Sequence, residues 1–278
     1  MTVLHLLAAI QYPHLDPEAF HIWKIHVRWY GLAYVAGLMI GYFLLSRMIK
    51  QGRLRIKLDH LADLILWLAV GVMVGGRLGW WFFYHRNFGT PEPWYEPIAA
   101  WHGGMSFHGA VICVALAAFL WAWFYRAPFG NVVDCMALVA PIGLFLGRLA
   151  NFVNHELVGR PSNVPWAVIF PGEDFGRHPS QIYEAILEGP VLMAVLWGFY
   201  KSTRLWDGAI ASLFLVFYGL FRFSVEFTRE PDPQLGFIAW GWLTMGQLLS
   251  VALVVLGLVM LWISRSVARK RAPLAAGK

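Results

Sequence analysis

The stretch from Gly147 to Pro161 reads Gly-Arg-Leu-Ala-Asn-Phe-Val-Asn-His-Glu-Leu-Val-Gly-Arg-Pro and follows directly on an apolar run. Projected on a helix at about 100° per residue, Arg148, Asn151 and His155 fall within roughly 60° of one another, with Glu156 roughly 80° from Arg148. A guanidinium inside apolar sequence is costly, so Arg148 is expected to face a partner, a cavity or a ligand. A helix end meeting water would also carry such residues. A second constellation, Tyr218, Arg222, Glu226 and Arg229, has helical spacing and shares one face. Its bland account is an Arg222–Glu226 ladder that anchors the helix. The sharper account is an anion held by arginines from two helices, because the planar guanidinium fork grips phosphate oxygens bidentately. Arg77, Arg160 and Arg177 also lie in or beside apolar runs on the same side.

Three further blocks carry polar groups at the mouths of apolar runs. His102-Gly-Gly-Met-Ser-Phe-His108 places a histidine, the usual proton acceptor near neutral pH, where a helix should begin; an interfacial role is the alternative. His178-Pro-Ser-Gln-Ile-Tyr-Glu184 has a Pro-Ser helix start, and Gln181, Tyr183 and Glu184 could be structural or chemical. Arg28-Trp-Tyr30 offers Tyr30 as anchor or ligand. No phosphate-binding loop, dinucleotide fingerprint, HExxH pattern or GxSxG elbow is present, and the histidines and cysteines lack metal-ligand spacing. The pattern is one of anion holding with a possible base and no obvious protein nucleophile.

The elements that must position these groups are membrane spans. Of 278 residues, 59% are hydrophobic and 14% charged, against about 25% charged in an ordinary soluble domain. Mean hydropathy is +0.56, and 15 Trp, 10 Tyr and 20 Phe suit aromatic belts at headgroup level. This composition excludes a cytosolic enzyme, a disordered chain and, despite a pI near 9.4, a nucleic-acid binder. Seven apolar intervals approach the roughly 20 residues a span needs: 29–49, 61–83, 108–125, 132–152, 180–200, 208–227 and 242–264. The fold expected is all-α, polytopic, with seven transmembrane helices in one domain over 1–278.

Segment 153–179, with its prolines and a strand-like 166–170, is expected to form a small outward-facing head. Most Lys and Arg lie in the loops after spans one, three and five and in the C-terminal tail: Arg47, Lys50, Arg53, Arg55, Lys57, Arg126, Lys201, Arg204, Arg265, Arg269, Lys270, Arg271 and Lys278. Positive residues mark the cytoplasmic side, so the N-terminus should be outside and the C-terminus inside. Lys24, Arg28 and Arg86 are read as solvated. Residues 3–10 lack a basic flank and are not expected to be a cleaved leader. Gly71-xxx-Gly75-xxx-Gly79 and Gly143-xxx-Gly147 are expected to pack helices closely, and Cys113 and Cys135 to be small packing residues rather than a disulfide.

In order, Gly103–Gly109, Gly147–Pro161, His178–Glu184 and Tyr218–Asp232 resemble the motif blocks of the prolipoprotein diacylglyceryl transferases of bacterial inner membranes, over a stretch running from Trp29 to about Ser264. The resemblance implies seven spans and transfer of the diacylglyceryl group of phosphatidylglycerol to the lipobox cysteine thiol of a prolipoprotein. It carries essential positions onto Tyr30, His108, Arg148, Asn151, Glu156, Gly159, Tyr218 and Arg222. His108, Arg148 and Arg222 would then be catalytic. Tyr30, Asn151, Glu156, Gly159 and Tyr218 would bind substrate, joined by Arg77 and Arg229 from the intramembrane arginines. No cofactor or metal is expected, because the lipid is already an activated donor. The alternative is an anion or lipid transporter using the same arginines.

Overall fold

The computed structural model describes residues 9–23, 25–84, 95–96, 104–202, 205–231 and 236–275. Lys24, Arg86, His102, Gly103, Arg204, Asp232 and Lys278 lie outside the described residues, as does the side chain of His108. The chain forms two compact units, Met1–Gly41 with Met136–Lys278, and Tyr42–Cys135.

Apolar helices stand at each of the seven intervals. They are α1 (Trp29–Lys50), α2 (Asp59–Tyr84), α3 (Phe107–Phe124), α4 (Phe129–Val153), α5 (Ser180–Ile186) continued by α6 (Leu192–Ser202), α7 (Ala209–Val225) and α8 (Met245–Ala275). Five are long and apolar enough to cross a bilayer alone: Trp29–Lys50, Asp59–Phe82, Phe129–Val153, Ser180–Ser202 and Met245–Lys270. Helices α3 and α7, of 18 and 17 residues, are shorter apolar helices. The chain is thus a polytopic membrane protein.

Local chemistry sets the helix starts near the polar blocks. Ser106 caps α3, its side chain accepting from the Gly109 N–H at 3.3 Å. Thr244 and Gln247 form a reciprocal box at the start of α8: the Gln247 N–H donates to Thr244 Oγ1 at 3.2 Å, and the Thr244 N–H donates to Gln247 Oε1 at 3.0 Å.

Within the unit Tyr42–Cys135, α2 packs on α3 through the expected glycines. A Cβ on Gly79 would come 2.7 Å from the Gly109 Cα, and one on Gly71 3.0 Å from the Cys113 carbonyl oxygen. The second glycine pair behaves differently. A Cβ on Gly37 would meet the Gly143 Cα at 3.5 Å, yet no atom among the described residues lies within 4 Å of a Cβ on Gly147. A Cβ on Gly143 likewise meets nothing within 4 Å among the described residues, so close packing accounts for neither glycine of this second pair. Both cysteines are free thiols.

In the other unit, segment 154–179 is organised by short backbone pairings. Strand β1 (Ile10–Gln11) pairs in parallel with β4 (Val168–Ile169). The strand-like residues thus find their partner before the first helix. Tyr12 is buried among Phe152, Val158, Val168 and Phe170, and its hydroxyl donates to the Phe152 and Val153 carbonyls at 3.3 Å. Two hairpins flank this region: β2 (Glu18–Ile22) with β3 (Ile25–Arg28), and β5 (Phe237–Ala239) with β6 (Leu243–Thr244).

Candidate functional site

The densest polar cluster among the described residues is built by α4, α5 and α7. Between α5 and α6 the helix widens into a π turn, Leu187–Val191, in which Gly189 leaves helical geometry (φ −96°, ψ −107°). Pro190 supplies the cause: it has no N–H to donate, and its ring crowds the preceding turn. Such wide turns recur at functional sites. Gly189 also lets α5 close on α4, since a Cβ there would sit 2.7 Å from Phe145 Cβ. One turn beyond Phe145, Arg148 comes within reach of α5.

Two carboxylates meet it, Glu184 on α5 and Glu188 in the wide turn. Glu188 Oε2 accepts from Arg148 Nε at 3.0 Å, and Glu184 Oε2 lies 2.9 Å from Arg148 Nη1. Glu184 Oε1 accepts from Arg222 Nη1 at 3.0 Å and lies 3.5 Å from Arg229 Nη1. Glu226 Oε2 is 2.7 Å from Arg222 Nη1, while Glu226 Oε1 accepts from Thr244 Oγ1 at 2.8 Å. The Glu226 carboxylate rests against the start of α8, where only a glycine fits: a Cβ on Gly246 would collide with it. The partial positive charge of that helix end favours the carboxylate.

Three carboxylates thus meet three guanidiniums. Glu184 and Glu188 are at most 1% exposed, Arg148 and Arg222 about 15%. Among the described residues Arg222 Nε and Nη2 make no hydrogen bond, nor does Arg148 Nη2. The arginines are held from behind and keep N–H groups to offer. Tyr218 is buried, stacked on Phe214 at 5.7 Å, and lies in the field of Glu188, Arg148, Arg222 and Glu184.

The end of α4 differs from the helical projection. The helix stops at Val153, and His155 and Leu157 take left-handed φ values of 57°. His155 turns away to sit edge-on to Tyr12 at 4.3 Å. Glu156 meets Asn151 by a chain reversal, not by helical spacing: Asn151 Nδ2 donates to Glu156 Oε2 at 3.1 Å.

Gly159 stands where three backbone segments meet. A Cβ there would strike the His178 carbonyl and lie 2.8 Å from the Thr228 carbonyl oxygen. Arg160 N–H donates to Thr228 O at 2.9 Å, and His178 N–H to Arg160 O at 3.0 Å. Arg160 Nε donates to the Arg229 carbonyl at 2.7 Å. Arg177 donates to Glu173, Glu230 and the Gly159 carbonyl, and its guanidinium is held above its usual pKa, first by the Glu173 hydrogen bond. Close approach is thus the evident demand on Gly159.

Tyr30, Arg77 and His108 stand on α1, α2 and α3. Tyr30 and Tyr34 pair through their hydroxyls at 3.4 Å. In the other unit, Arg77 is 2% exposed, donates to the Glu96 carbonyl and carboxylate at 2.7 and 2.8 Å, and lies over the Trp80 ring. His108 is in the first turn of α3.

Glu188 and Thr244 were not picked out from the sequence. Glu188 had a signal, since two glutamates four apart in an apolar run are as costly as an arginine there. Thr244 had none beyond an ordinary helix-cap pattern.

Comparison with known proteins comes to the same family as the motif blocks. A family model described as prolipoprotein diacylglyceryl transferase matches residues 17–263. A phosphatidylglycerol–prolipoprotein diacylglyceryl transferase of Sinorhizobium medicae is 44% identical over 284 residues, 99% of each chain. One of Nitratidesulfovibrio vulgaris is 45% identical over 260 residues, 93% of this chain and 97% of its own. One of Geobacter sulfurreducens is 47% identical over 252 residues, 90% and 96% of the two chains.

Proposed function

The chain belongs to the prolipoprotein diacylglyceryl transferase family, and from that premise we propose how its residues carry the reaction. It transfers the diacylglyceryl group of phosphatidylglycerol to a prolipoprotein. The acceptor is the thiol of the lipobox cysteine. Sulfur attacks the terminal glyceryl carbon, the S–C bond forms, and the C–O bond to phosphate breaks. The electron pair leaves on glycerol phosphate, which gains negative charge as it departs.

Arg148 and Arg222 bind that group more strongly as its charge develops, which is what accelerates a reaction. The observation that carries this reading is the backing of both guanidiniums by Glu184, Glu188 and Glu226, with Arg222 Nε and Nη2 left to donate. Donors already held in place need no reorganisation during the step. Asn151, Glu156, Tyr30 and Tyr218 orient the headgroup, with Arg77 and Arg229 as further anion contacts. Gly159 keeps the neighbouring backbones close enough for that set. His108 takes the thiol proton; a thiol's ordinary pKa of about 8.5 leaves little thiolate without a base or nearby cations.

The protein is a multi-pass membrane protein; we place it in the bacterial inner membrane with seven spans, N-terminus out, C-terminus in, and segment 153–179 outside. The basic loops support this orientation. Transport of an anion or lipid is not favoured by the family match.

The test is purified protein in lipid with phosphatidylglycerol and a lipobox peptide. Thioether product and glycerol phosphate should appear in equal amounts. Movement of the lipid across a bilayer without thioether would overturn the proposal.

A further inference from the structure

The turn after α4 is strained in a way that its own packing does not explain. His155 and Leu157 both adopt left-handed φ, which residues with a Cβ rarely take. His155 is compensated by Tyr12. Leu157 is 40% exposed, so its conformation buries little apolar surface. Strain of this kind persists only where the surroundings over-determine the backbone.

Two buried side chains from the start of α5 do so. Gln181 Nε2 donates to the Glu156 carbonyl at 2.7 Å, and Ser180 Oγ donates to the Leu157 carbonyl at 3.1 Å. Both residues are fully buried. A third tie, from the Glu156 N–H to the Asn151 carbonyl at 2.9 Å, closes the reversal. Its outcome is the Glu156 carboxylate against the Asn151 amide.

We propose that Gln181, assisted by Ser180, is a positioning residue: it holds the strained turn 155–157 and thereby aims Glu156 at Asn151. This rests on the proposed function, in which Glu156 orients the donor headgroup. Gln181 is buried and its amide nitrogen is held by the Glu156 carbonyl, so its effect is exerted on the turn. Its contribution passes through the backbone at Leu157, where glycine would adopt the same φ without strain.

That route gives a rescue test. Gln181→Met keeps the volume and removes the donor. Turnover of phosphatidylglycerol with a lipobox peptide should fall at least about tenfold relative to wild type. Leu157→Gly alone should be near wild type, and Gln181→Met with Leu157→Gly should recover most of the loss.

Hydrogen exchange reads the same turn without activity: Gln181→Met should exchange faster over residues 154–158, with the helix α4 amides unchanged. A well-folded double variant as impaired as Gln181→Met overturns the proposal, as does unchanged exchange. Should Gln181→Met fail to accumulate, Ser180→Ala must show the same exchange change and the same rescue. Inactive wild type with the expected exchange pattern would instead count against the proposed function, leaving the turn's architecture upheld.

Discussion

Arg222 Nη1 donates to Glu184 Oε1 at 3.0 Å, joining α7 to α5 across 38 positions of sequence. The same carboxylate reaches Arg148 through its other oxygen. One glutamate therefore sets the relative placement of the two arginines proposed to hold the departing phosphate.

The two arginines should be irreplaceable by lysine. Losing one bidentate contact to a developing charge costs about 3 kcal/mol, on the order of 10²-fold in rate. Arg222→Lys and Arg148→Lys keep charge but not the fork, so both should be severely impaired at normal expression. Turnover in membranes, normalised to folded protein, measures this. If Arg222 served only as a partner for Glu226, Lys would serve well and Glu226→Gln would be as harmful as Arg222→Ala.

Glu184→Gln should destabilise more than any single change at the cluster's edge. It strips the shared charge from three guanidiniums in a buried setting, for which about 3–5 kcal/mol is usual. Thermal unfolding in detergent should show the loss. Added phosphatidylglycerol should raise the unfolding temperature of this variant more than that of wild type, since an outside anion replaces the missing one. Equal shifts in both proteins would argue against a shared anion site.

A mild acid sensitivity is expected from His178. Burial lowers its pKa below the ordinary value, so the folded state favours neutral imidazole. The associated stability is complete above about pH 6.5, the ordinary histidine value, and is lost as pH falls from there through the folded-state pKa. The difference in unfolding temperature between pH 7.5 and 5.5 should shrink in His178→Gln. An unchanged or larger difference would assign the sensitivity to other groups.

Topology has its own test. A reporter fused after Ala268 should work only if it requires the cytoplasm. An exported-only reporter active at that position would invert the orientation drawn from the basic loops.

Much of this architecture was legible because span hydrophobicity is a property of long stretches and survives errors at the ends. Helix α5 begins at Ser180 and α1 at Trp29, as the apolar intervals imply. The site was legible in composition and less so in geometry. Arg148 and Arg222 announced themselves as charges in apolar sequence, but a helical projection cannot say which carboxylate on another helix will meet them. Glu156 was placed near Asn151 for the wrong reason: none of the five residues after Val153 is a glycine or proline that would signal that the helix stops and the chain doubles back. The pairing of Ile10–Gln11 with Val168–Ile169 joins segments too distant for any local pattern to reveal.

The wide turn at Leu187–Val191 also acts as a phase setter. It divides one span into a first part, Ser180–Ile186, and a second part, Leu192–Ser202, whose rotation about the common axis depends on the residue count between them. Deleting one residue from the regular helix beside the turn, where no wide turn absorbs the loss, would rotate the first part against the second by about 100°. Glu184 would leave the arginines, and Ser180 and Gln181 would leave the turn they brace. The length of this segment is thus under tighter constraint than its hydrophobicity.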